Sequence, residues 1–185
     1  MAVPYGALSP LRGWSGKMVG MIERPLLLVD VDGVLNPLGR PTPDFRKYEC
    51  HVEGQTYTVF LNSRHGTRLL SLAVETGSEL VWATTWEHWA NEWIAPRLSL
   101  PQLPVIKLPP NVRGQFGEMF KTPAIAEYVG RRPFVWFDDQ VWAADEDYLR
   151  AHPGVGDFLL VQVDPRVGLT QTEFGYAREW LRRLP

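Results

Sequence analysis

The stretch Leu26–Asn36, Leu-Leu-Leu-Val-Asp-Val-Asp-Gly-Val-Leu-Asn, constrains the fold more than any other part of the chain. Leu26 to Val29 are apolar without alternation, as expected of a strand covered on both faces inside a parallel sheet. The run ends in two aspartates one residue apart, followed at once by glycine. Alternation along extended backbone sends Asp30 and Asp32 to the same side, and Gly33 permits a sharp turn. Two like charges at the end of a buried strand repel each other and lose hydration. They persist most easily where a cation or a reaction employs them. The plain alternative, two solvated turn aspartates, loses ground as the chain is read further.

Two more apolar runs end in functional groups. Glu79-Leu80-Val81-Trp82-Ala83-Thr84-Thr85 reads as a buried strand ending in the hydroxyls of Thr84 and Thr85. A hydroxyl and free N–H groups at a strand-to-helix junction can hold phosphoryl oxygens. Thr84-x-x-Glu87 also has the spacing of a capping box. Phe134-Val135-Trp136-Phe137-Asp138-Asp139 is a third such strand, ending in paired carboxylates. Between them, Thr122 and Pro123 read as the N-cap and first residue of a helix, which leaves Lys121 just outside its start. The helix dipole does not favour a cation there, and a phosphate held between the two would reconcile the placement.

Asp30-Val31-Asp32-Gly33-Val34-Leu35-Asn36 resembles motif I of the haloacid dehalogenase-like (HAD) phosphatase superfamily. Thr84 (with Thr85 as the second choice for the motif position), Lys121 and Asp138-Asp139 resemble its motifs II, III and IV. Trp82-Ala83-Thr84-Thr85-Trp86 and the ending Asp164-Pro165-Arg166-Val167-Gly168-Leu169-Thr170 are similar to the compact HAD domain of bacterial "Swiss Army knife" RNA-repair proteins. The resemblance covers about Leu26 to Leu184. It implies Mg²⁺-dependent phosphomonoester hydrolysis in which Asp30 attacks phosphorus and Asp32 serves as acid and base. It also implies that Asp30, the Asp32 carbonyl, Asp138 and Asp139 hold Mg²⁺, while Lys121 and Thr84 offset phosphoryl charge. The substrate class it suggests is a phosphorylated molecule such as an oligonucleotide end, with RNA-repair proteins as partners. Two alternatives remain open: a phosphatase of small metabolites or nucleotides, and a non-catalytic module within an RNA-repair complex.

Strand–helix alternation independently predicts a Rossmann-like three-layer α/β/α domain with a central parallel sheet of five strands. Val105–Leu108 is read as an edge strand or extended loop. Tyr48–Val52 and Thr56–Leu61 flank Glu53-Gly54-Gln55 as a β-hairpin flap, too small for a cap domain. Its His51 reads as an exposed hairpin residue. Arg64–Thr76, Trp142–His152 and a closing segment to Leu184 read as helices. Trp86, Trp89, Ala90, Trp93 and Ile94 share one face of a helix after Thr85, with Trp89 and Trp93 expected in the core and Trp86 and His88 nearest the site. Arg40, Arg46 and Arg113 are candidates for the cleft rim. Residues 1–25 read as a poorly ordered leader, with Met18 and Met21 as alternative starts, and residues 26–185 as the phosphatase domain. A net charge of −2 offers no broad grip on nucleic acid. The one cysteine excludes an internal disulfide. No apolar run approaches membrane-spanning length, and a cytoplasmic location is the expectation.

Overall fold

Leu26–Val29 forms β1, and all four of its side chains are fully buried. The computed structural model describes residues 23–110 and 117–185. Four strands form a parallel sheet in the order β4-β1-β5-β6, where β4 is Glu79–Trp82, β5 is Phe134–Asp138 and β6 is Phe158–Gln162. β1 lies between β4 and β5, with Val29 in register with Trp82 on one side and Phe137 on the other. That central place explains the unbroken apolar run, because neither face of β1 meets water.

Alternation sorts the core into two halves. Leu27 and Val29 join one cluster with Leu69 and Leu72 of α1 (Ser63–Thr76) and Phe174 and Ala177 of α4 (Gln171–Leu181). Leu26 and Leu28 join the other, with Ile125 and Val129 of α2 (Lys121–Val129) and Leu149 of α3 (Ala143–Ala151). Helices therefore cover both faces, giving the three-layer α/β/α arrangement. Each buried leucine in β1 contributes about 1.5–3 kcal/mol by leaving water.

The remaining strands, β2 (Arg46–Val52) and β3 (Gln55–Leu61), pair antiparallel as the expected hairpin. His51 is exposed on it and bonds Thr56 Oγ1 at 3.0 Å. Cys50, facing inward from β2, is buried, and burial pushes its thiol pKa up.

Three expectations are corrected. The parallel sheet has four strands among the described residues: Val105 meets Trp82 in an isolated parallel bridge, and no strand follows from it. Prolines at 101, 104, 109 and 110 remove the amide donors a ladder needs. The segment after Thr85 is not one regular helix but turns leading into a π-helical turn, Ala90–Ile94, and a 3₁₀ turn, Ala95–Leu98. Glu87 has φ 46°, which breaks the helix that the Thr84 capping box would have begun. Lys121 is the first residue of α2 rather than outside it, with Phe120 at the N-cap. Thr122 is not the cap: its hydroxyl donates to Asp145 Oδ1 at 2.5 Å, tying α2 to α3.

The leader expectation falls largely on residues 1–22, outside the described residues, as does Arg113. Arg24 bonds the Gly77 carbonyl, and Pro25 accepts from the Glu79 amide. No helix of the described residues is long and apolar enough to cross a membrane.

Candidate active site

Parallel strands present their carboxyl ends on one edge, so side chains that follow β1 and β5 meet there. Asp30 continues β1, its amide donating to the Phe137 carbonyl at 3.1 Å, and Asp138 ends β5 beside it. Asp139 follows. One oxygen from each of Asp30, Asp138 and Asp139 lies within 4.8 Å of the others, and all three residues are buried.

Lys121 enters this group from the first turn of α2. Its ammonium donates to Asp30 Oδ2 at 2.5 Å and to Asp138 Oδ2 at 2.7 Å, and the residue is 4% exposed. The unusual position of a lysine at a helix start, noted from sequence, is thus satisfied by two carboxylates. Burial alone would lower the lysine pKa, but the charges of Asp30 and Asp138 outweigh it and hold the ammonium above its usual range. Burial, followed by the Asp30 charge, pushes Asp138 up to about 7 against the pull of Lys121. Asp139 is raised for the same two reasons.

The other oxygens are held by backbone. Asp30 Oδ1 accepts from the Val31 amide at 2.7 Å and Asp138 Oδ1 from Gln140 at 2.9 Å. Asp139 Oδ1 is buried without a hydrogen-bond partner. Three carboxylates against one ammonium leave an excess of negative charge when all are ionised. An all-oxygen donor set with one orphaned buried acceptor fits a hard divalent cation such as Mg²⁺. Gly33 makes the cluster possible. Its φ is +75°, and a Cβ there would stand 2.5 Å from Asp139 Cγ.

Asp32 faces a different set of partners. Its side chain is half-buried and is not one of the three clustered carboxylates. Asn36 Nδ2 donates to its Oδ1 and Trp86 Nε1 to its Oδ2, both at 2.8 Å. Asn36 in turn accepts from the Phe60 amide of β3 at 2.8 Å, linking the hairpin to Asp32. Trp86 was read from sequence as near the site, which it is. Nothing in the spacing pointed to its indole N–H as the donor to Asp32, or to Asn36 as the link to the hairpin.

Thr84 is fully buried, and its hydroxyl accepts from the Trp86 amide at 3.3 Å. Thr85 is exposed and lines a cavity with Asp32, Trp86 and Trp89. Trp89 is therefore not the core residue expected, whereas Trp93 does pack on the core. Without a regular α-helix here, i, i+3, i+4 spacing no longer puts these side chains on one face.

The Asp164–Thr170 segment braces the first aspartate loop. The Leu169 amide donates to the Val34 carbonyl at 2.8 Å, and the Leu38 amide to the Pro165 carbonyl at 2.7 Å. Gly168 has φ +76°, and a Cβ there would approach the Val34 carbonyl to 2.7 Å.

A parallel sheet carrying Asp-x-Asp after one strand, Asp-Asp after its neighbour and a lysine between the carboxylates defines a HAD-type domain. Residues 26–174 match the family described as the HAD domain in Swiss Army Knife RNA repair proteins, and the chain belongs to that family. No curated protein and no solved structure matches it.

Proposed function

We propose that the protein is a Mg²⁺-dependent phosphomonoester hydrolase acting through an aspartyl-phosphate, in the cytoplasm, on phosphorylated nucleic-acid ends. The observation that carries this reading is the meeting of Asp30, Asp138, Asp139 and Lys121 at one strand edge. A buried group of that composition is costly to fold and is explained by a bound cation and a phosphoryl group.

Asp30 is the nucleophile: its carboxylate oxygen forms the bond to phosphorus as the ester oxygen leaves. Asp32 gives that leaving oxygen a proton, then takes one from the water that hydrolyses the acyl phosphate. Asn36 and Trp86 hold the Asp32 carboxyl in the orientation this needs. Lys121 and Thr84 offset charge on the phosphoryl oxygens. Asp30, Asp138, Asp139 and the Asp32 carbonyl would hold Mg²⁺, which supplies charge neutralisation at the transferring phosphoryl group. RNA-repair proteins are the proposed partners, in keeping with the family's description.

The test is phosphate release from free nucleotides, sugar phosphates and 3′- or 5′-phosphorylated oligonucleotides, with and without chelator. Asp30→Asn should lower turnover by well over tenfold, more than ~1.4 kcal/mol of barrier. Oligonucleotide ends should be preferred, less so at high salt. Residual activity within about tenfold of wild type, or full activity in excess chelator, overturns the mechanism.

A further inference from the structure

Beside Asp32, away from the three clustered carboxylates, lies a cavity of about 190 Å³ bounded by Asp32, Val52, Tyr57, Thr85, Trp86 and Trp89. Larger hollows exist: one of about 610 Å³ near Leu149 and Leu184 has none of the strand-end carboxylates in its lining, and one of about 510 Å³ is lined by Asp139 but by neither Asp30 nor Asp32. Three of the six bounding residues are aromatic and none is a cation. Tyr57 remains 44% exposed on the hairpin and meets Trp86 edge-on, with centroids 5.7 Å apart. Trp86 is fixed from below by its bond to Asp32. Aromatic surface thus remains partly open to solvent beside Asp32.

We infer that this cavity is a subsite for the nucleobase of the nucleotide that carries the scissile phosphate. The inference rests on the proposed hydrolase reading and specifies what its leaving group is. Asp32 protonates the leaving oxygen in that reading, so whatever the oxygen belongs to lies on the Asp32 side, where the cavity opens. The space is below the roughly 300 Å³ of a drug-sized pocket and takes about one ring system rather than two stacked nucleotides. Aromatic walls suit a flat heteroaromatic ring, whose faces stack without regard to sequence. Among the described residues no cation lines the cavity, which disfavours leaving groups bearing a second phosphate at this position, since an anion placed beside the Asp32 carboxylate would find no counter-charge among them. The occupant is therefore a neutral, planar base attached to the sugar whose ester is cut, and sugar phosphates leave the walls unfilled. Tyr57 comes from the hairpin and Trp89 from the segment after Thr85, so the subsite forms only when the two are in place.

Calorimetric titration tests this on the Asp30→Asn protein, in which bound esters are not consumed. Adenosine monophosphate and cytidine monophosphate should each bind at least about tenfold more tightly than ribose 5-phosphate, the increment expected of one stacked base. Trp89→Ala and Tyr57→Ala, added separately on that background, should each cut the ratio to within about threefold of unity. Tyr57 is a surface residue, so its variant keeps the test valid if Trp89→Ala folds poorly. Equal binding of nucleotide and ribose phosphate, or a preference that survives both variants, overturns the subsite. The two readings fail separately. A wild-type protein that releases no phosphate from any ester while the base preference holds overturns the hydrolase. Rapid phosphate release without base preference overturns the subsite alone.

Discussion

Replacing Lys121 by methionine keeps the length of the side chain and removes the only ammonium bonded to Asp30 and Asp138 among the described residues. Both bonds are short and all three groups are buried. Breaking a buried ion pair from one side costs about 3–5 kcal/mol, because the remaining charges have lost their hydration. The loss is pH-dependent, with a sign that follows from Asp138. Its folded pKa of about 7 lies above the unfolded carboxylate value, so the stability it adds is fully present below the unfolded value and disappears as pH rises through about 7. From about pH 5.5 to about pH 8 the wild type therefore loses about 2 kcal/mol through this group, levelling off above pH 7. Without Lys121 the carboxyls of Asp138 and Asp139 keep their protons to higher pH, and the same interval costs more. The variant should thus be destabilised more at pH 8 than at pH 5.5. His65, whose pKa burial lowers to about 4, loses stability as pH falls from about 6.5 towards that value, but it does so in both proteins and cancels in the difference. Urea unfolding in chelator at the two pH values measures it. A variant within about 1 kcal/mol of wild type at pH 8, or equally destabilised at both pH values, refutes the role given to Lys121.

Mg²⁺ should raise the thermal midpoint, contributing about 3 kcal/mol at a hundred times its dissociation constant. Asp139→Asn should weaken that shift; scanning calorimetry with no Mg²⁺ response in wild type would count against the three carboxylates as ligands. Gly33→Ala forces a side chain into left-handed backbone and onto Asp139. It should cost about 1–3 kcal/mol, and an unchanged urea midpoint would show that the loop yields freely. Trp86→Phe keeps the ring but removes the donor to Asp32 Oδ2. Loss of a bond to a charged group is worth about 1.5–3 kcal/mol, so kcat should fall roughly tenfold to a hundredfold; steady-state kinetics on an oligonucleotide end that leave kcat unmoved would remove Trp86 from the mechanism.

What could be read from sequence was whatever depends on nearest neighbours. The apolar run of β1 and the residues after it and the hairpin around Gly54 both repeat in the structure. The convergence of Asp30 and Asp138 was implied by the family resemblance rather than by spacing, since the strand order that pairs β1 with β5 is not written in either segment. The segment from Thr84 to Leu98 was not legible. Its tryptophans recur at helical spacing, yet Glu87 in left-handed backbone and Pro96 in the 3₁₀ turn redirect the chain. The partners of Asp32 were hidden for another reason. Trp86 lies 54 residues away, and no local period encodes a single indole N–H reaching a carboxylate.

Asn36 has one amide and uses both ends of it, accepting from the backbone of β3 and donating to Asp32. The flap and the aim of the proposed proton donor are therefore linked through Asn36, while Trp86 holds the other Asp32 oxygen. A substitution or bound partner that lifted the hairpin would part the Phe60 amide from Asn36 and loosen one of the two donors that hold the Asp32 carboxyl. A change at the hairpin would thus reach the proposed proton donor through the side chain of Asn36.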